Sequence, residues 1–205
     1  MAGERDLRDR REATSQHYHP VGIFFHWLMA ALVFFQLWWG WRTSFLDPGY
    51  DKADGYVVHA QIGAAILAAA FMRLGWRVIA PFVAPKLEEI EDLPGWQRLA
   101  AEGTHWALYV MMVVLPVSGL LMMAATAPET LERALGLSGF RDADFVTRAR
   151  IEHFAETVHF ASVWTIMALV AVHVGAALKH HFIDRDDVLA RMIPLLGPPE
   201  PGGRK

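Results

Sequence analysis

Residues 157–178 read TVHFASVWTIMALVAVHVGAAL, a run long enough to cross a bilayer that carries two histidines and no other ionisable side chain. His159 and His173 are fourteen residues apart. On an α-helix fourteen steps of 100° fall about 40° short of four full turns and climb about 21 Å, so one face presents an imidazole near each membrane surface. An ionisable side chain at membrane depth costs about 2.5 kcal/mol or more unless something compensates, which marks such residues as functional candidates. Neutral imidazole is a preferred axial ligand of haem iron, and a pair at this spacing can hold two haems stacked across the bilayer.

The rest of the chain repeats the pattern. It has 205 residues, 54% hydrophobic and 20% charged, and the charges avoid four windows, 21–41, 55–72, 103–128 and 157–178. A transmembrane helix needs about 20 predominantly apolar residues, so the expected fold is an all-α integral membrane four-helix bundle. Too little chain remains for a separate soluble catalytic domain. Thirteen Lys and Arg fall in the N-terminal arm, the second connection and the tail, against six in the other two connections, which predicts that both termini are cytoplasmic. The expected division is a cytoplasmic arm over 1–20, a four-span domain over 21–183 and a cytoplasmic tail over 184–205. The first span reads as a retained span because bulky Trp38, Trp39 and Trp41, not a small-residue cleavage site, follow it. These tryptophans read as an interfacial belt.

With no cysteine, disulfides, thiolate metal sites, covalently attached haem and iron–sulfur clusters are all excluded. A net charge of −3, without a basic aromatic patch, P-loop or dinucleotide glycine pattern, gives no expectation of a nucleic-acid partner.

Depth sorts the histidines within the bundle. Span one runs outward and carries His26 near its start; span two runs inward and carries His59 near its start. His26 and His173 therefore belong to an inner layer, His59 and His159 to an outer one, and each layer can supply the two axial ligands of one haem. Arg73 lies fourteen residues after His59, on the same face at the inner level, where it either meets a haem propionate or snorkels. Gly63, one turn from His59, offers bare backbone for a flat ring. His105 opens span three at the inner level and reads as a third inner imidazole, a propionate partner or an interfacial residue. Pro116 with Ser118 and Gly119 predicts a kink in that span. His180, seven residues after His173, falls on the same face at the inner headgroup level. His17, His19 and His153 read as solvated.

These residues resemble the bacterial four-helix cytochrome b561 proteins, relatives of the membrane b-type subunits of hydrogenases. The resemblance runs from Tyr18 to about Met192 and rests on YHPVGIFFHWLMA around His26, VVHAQIGA around His59 with RLGWR after it, HWALYVMMVVLPVSG in span three, and VHFASVWTIMALVAVHVGAALKHHFIDRDDV at the end. It implies two non-covalent haems b on His26, His59, His159 and His173, exchange with membrane quinone in a bacterial inner membrane, and electron transfer across the lipid bilayer to or from a periplasmic partner. Family members have been associated with superoxide oxidation coupled to ubiquinone reduction, which would make the chain a superoxide:ubiquinone oxidoreductase. His180 or His105 would then supply protons to the quinone. The alternative is a haem-bearing anchor of a multi-subunit dehydrogenase. Acidic outer connections, with Asp47, Asp51 and Asp54 in the first, weigh against steering an anion to that surface.

Overall fold

In the computed structural model of the chain, residues 18–83, 95–186 and 188–193 are described. Residues 1–17 of the expected 1–20 arm, His17 among them, residues 84–94, and residues 187 and 194–205 of the expected tail lie outside them. The described elements are all helical: α1 (Pro20–Ser44), α2 (Tyr50–Val83), α3 (Gly95–Thr126), α4 (Pro128–Leu135), α5 (Phe145–Lys179), a π-turn (His180–Asp184) and α6 (Val188–Met192). Four of these, α1, α2, α3 and α5 with its π-turn, are long and apolar enough to cross a membrane.

Each long helix outruns its apolar window. The 34 residues of α2 rise about 51 Å, against a hydrocarbon core of about 30 Å, because hydrogen bonding within the backbone continues after the apolar residues stop. Pro81 sits in the last turn of α2, where it forfeits one i→i−4 hydrogen bond shortly before the helix ends at Val83. Pro128 lies outside the third span and starts α4 instead, at a first-turn position where its missing N–H is no loss. Gly136 closes α4 at φ +68°, in the left-handed region. His19, expected to be solvated, caps α1: its Nδ1 accepts the Val21 amide at 3.3 Å, and its ring packs on Trp76 at 4.8 Å.

Basic side chains close the helix C-termini. Lys52 Nζ donates to the carbonyls of Ser44 and Leu46 at 3.1 and 3.0 Å, and the Arg148 guanidinium makes two bonds to the carbonyl of Ala125.

α1 packs along α2, α3 along α5, and α2 against α3, with α4 laid across α2 and α3. Close approach is paid in small residues: Ala69, Ala70, Ala125 and Ala155 are almost fully buried. Larger core side chains, Met29 and Val33 of α1, Ile66 of α2, Leu108 of α3 and Ile166 of α5, form one cluster. Ile166 is seven residues from both His159 and His173, so this apolar cluster lies between the two histidine levels. Trp41, Phe154 and Trp164 face outward, as a surface solvated by lipid requires. At one end the described termini meet, where the Tyr18 amide donates to the carbonyl of Arg191 at 3.3 Å and Trp27 Nε1 to that of Met192 at 3.0 Å. That end is called proximal below and the opposite end distal.

Candidate functional site

Two histidine pairs face one another inside the bundle. At the proximal level the rings of His26 on α1 and His173 on α5 have centroids 6.1 Å apart; at the distal level His59 on α2 and His159 on α5 are 6.3 Å apart. A ring nitrogen sits about 2 Å from a first-row metal it binds and about 1 Å from its own ring centre, so two imidazoles sharing one metal from opposite sides have centres about 6 Å apart. Both pairs have that separation. The fourteen-residue spacing does what the helix geometry requires, delivering one face of α5 to two levels.

The distal rings are seated on bare backbone. A Cβ at Gly40 would come within 2.7 Å of His59 Cε1, and one at Gly119 within 3.0 Å of His159 Cε1. At Gly63, on the turn after His59, an added Cβ would lie 3.4 Å from Gln36 Nε2. His159 donates its Nδ1 proton to the carbonyl of Leu115 at 3.1 Å, with Ser118 Oγ 3.3 Å away and itself bonded to that carbonyl at 2.9 Å. A carbonyl can only accept, so the proton is on Nδ1 and the Nε2 lone pair is left for a metal. Ser118 and Gly119 follow Pro116, so the segment expected to kink is also the segment that holds His159.

The proximal level is richer in cations. Arg73 donates from Nη2 to His26 Nδ1 at 3.3 Å and from Nε to the Tyr109 hydroxyl oxygen at 3.1 Å. Its level and face are those expected from its spacing to His59. Arg77 lies over the Trp106 ring at 5.3 Å and the Tyr109 ring at 5.8 Å. His105 approaches His173 to 5.4 Å between centroids, closer than either facing pair, while remaining exposed on the bundle surface. His173 thus has two imidazole neighbours. His180 is engaged elsewhere: in the π-turn its Nδ1 lies 2.5 Å from Asp186 Oδ2 and 3.4 Å from Asp184 Oδ2. His153 is exposed.

Sequence reasoning missed Gln36, Gly40 and Tyr109. Gln36 and His26 are the only strongly polar side chains in the first apolar window, a signal that could have singled out Gln36. Gly40 and Tyr109 carried none, because their importance comes from a neighbouring helix.

Fold and site together define an all-helical membrane bundle with facing histidine pairs at two levels, one member of each pair on a shared helix. The sequence profile of prokaryotic cytochrome b561 matches residues 17–195, a span that takes in every described residue. The chain belongs to the prokaryotic cytochrome b561 family. Similar proteins include cytochrome b561 homolog 2 of Escherichia coli (strain K12), 34% identical over 188 residues that cover 88% of this chain and 93% of the relative. Cytochrome b561 homolog 1 of the same organism is 35% identical over 104 residues, 49% of this chain and 55% of the relative. A probable superoxide oxidase CybB of Yersinia pestis is 25% identical over 179 residues, 86% of this chain and 96% of the relative. Family membership makes this a bacterial membrane electron-transfer protein and implies haem b.

Proposed function

We propose that the chain holds two haems b, one between His26 and His173 and one between His59 and His159, and passes electrons between membrane quinone at the proximal end and a redox partner at the distal end. The observation that carries this reading is the pair of ring separations, 6.1 and 6.3 Å, at two levels of one bundle. Iron held by two imidazoles supplies one-electron transfer and keeps no open position for oxygen. The protein's part is to fix the imidazoles, keep water out and place charge.

His159 is ready for this task, with its Nδ1 proton on Leu115. His26 is not, because its Nδ1 accepts from Arg73, and a neutral ring in that state carries its proton on Nε2. For His26 to give Nε2 to a metal, Arg73 has to release Nδ1; a haem carboxylate is the group that would draw the guanidinium away. Tyr109 and Arg77 then remain beside it as a polar wall. His180, hydrogen-bonded to Asp186, supplies or accepts the protons that accompany quinone chemistry.

At the distal end a cleft of about 360 Å³ is bordered by Trp39, Arg42, Asp51 and Asp54, next to the turn that carries His59. Arg133 is paired with Asp54 and Arg141 with Glu132, so neither guanidinium stands free to draw an anion. The charge pattern favours a neutral or cationic partner there over superoxide, the substrate implied by the name of the Yersinia relative. The Lys and Arg distribution supports placing both termini on the cytoplasmic side, and membership of a bacterial cytochrome family supports an inner membrane as the site.

The test is haem content and spectrum of the purified protein before and after a ubiquinol analogue is added. The expected result is two acid-acetone-extractable haems per chain, both reducible. A colourless protein, or one haem per chain, sinks the two-level scheme.

A further inference from the structure

The two distal imidazoles are not held alike. His159 gives its Nδ1 proton to Leu115. Across the pair, the buried Nδ1 of His59 has no hydrogen-bond partner among the described residues. A second buried atom nearby also lacks one: Oε1 of Gln36, a side chain only 6% exposed at membrane depth. Gln36 already reaches the residue that carries that ring, because its Nε2 donates to the backbone carbonyl of His59 at 2.7 Å. That bond fixes which end of the amide is nitrogen, so Oε1 is an acceptor without a donor on a side chain bonded to His59, whose own Nδ1 has no partner among the described residues. Buried polar groups in native proteins are nearly always paired.

An imidazole that binds metal through Nε2 keeps its proton on Nδ1, and an acceptor for that proton fixes the ring and strengthens its donation to the metal. The geometry points to Gln36 as the positioning residue of His59: its amide nitrogen holds the backbone carbonyl, and its Oε1 accepts the Nδ1 proton, leaving Nε2 for iron. The assignment rests on the two-haem reading above. It gives the distal site one such acceptor on each side, Leu115 for His159 and Gln36 for His59. Stronger donation favours ferric iron, so Gln36 lowers the potential of the distal haem.

Gln36→Met keeps the length of the side chain and removes both halves of the amide. Gln36→Glu keeps an acceptor and removes the N–H that reaches the His59 carbonyl. Both are made in the full chain, and haem content and the potential of each haem are measured, the distal haem being the one missing from His159→Ala. Gln36→Met should retain two haems and shift the distal ferric-to-ferrous ratio about tenfold toward ferrous at a fixed potential, about 59 mV for one electron, with the proximal haem unmoved. Gln36→Glu should leave the distal potential at or below that of the wild type. If both variants keep the wild-type potential, Gln36 only braces the backbone and the inference is overturned. Should Gln36→Met fail to hold the distal haem, Gln36→Glu decides: retention at or below the wild-type potential supports the acceptor role, and loss or a raised potential overturns it. A wild type without haem takes down both this inference and the reading beneath it.

Discussion

At the scale of single residues, Gly40 brings the backbone of α1 against the His59 ring so closely that a methyl group would lie 2.7 Å from Cε1. Alanine is the better helix former by about 1 kcal/mol, so Gly40→Ala should strengthen α1 locally while driving the ring out of position. The expected outcome is loss of at least about half of the distal haem with the proximal haem retained, read from haem per chain and the reduced spectrum. Gly75→Ala, where an added Cβ meets nothing within 4 Å, is the control and should keep both. The contrast shows what a single sequence conveys. Four histidines in apolar windows announce their depth, and depth alone brought His26 opposite His173 and His59 opposite His159. Gly40 and Gly75 look the same in the sequence, because what separates them is a ring on another helix. Gln36 was legible as a polar group in lipid, but its neighbour His59 was not.

Among elements, α5 begins with a charged cap. Asp144 accepts the Thr147 hydroxyl at 2.6 Å and the Thr147 amide at 3.0 Å, and these bonds, the hydroxyl first, hold its carboxyl below the ordinary 3.8. A lowered folded-state value means that the cap contributes above pH 3.8 and is lost as pH falls through the lowered value. Hydrogen exchange at the Thr147 amide should therefore show steady protection from pH 7 to about 4 and weakening protection below that, while Asp144→Ala lacks the protection throughout. A cap like this explains why helix ends were harder to read than helix existence. The apolar windows measure how much of each helix lies in lipid. The ends are set by polar groups such as Asp144, His19 and Lys52, whose partners lie in the backbone.

Taken whole, the molecule is tied at its proximal end by bonds between the start of α1 and the segment around α6. Trp27→Phe removes the indole bond to Met192 while keeping an aromatic ring, at a cost of about 1 kcal/mol. Opening of the α6 segment should rise about fivefold, and limited trypsin digestion in nanodiscs should cut correspondingly faster at Arg185 and Arg191, with the four long helices intact. The same tie accounts for Ala190 of α6 being only 5% exposed.

One helix also carries a member of both histidine pairs. His173 and His159 stand on α5, while their counterparts come from α1 and α2, both synthesised much earlier. A nascent chain that has delivered three spans to the membrane thus possesses two half-sites and no complete one. Both become whole in the same step, when α5 enters and docks, so on the two-haem reading neither level can gain its second imidazole until that helix is in place.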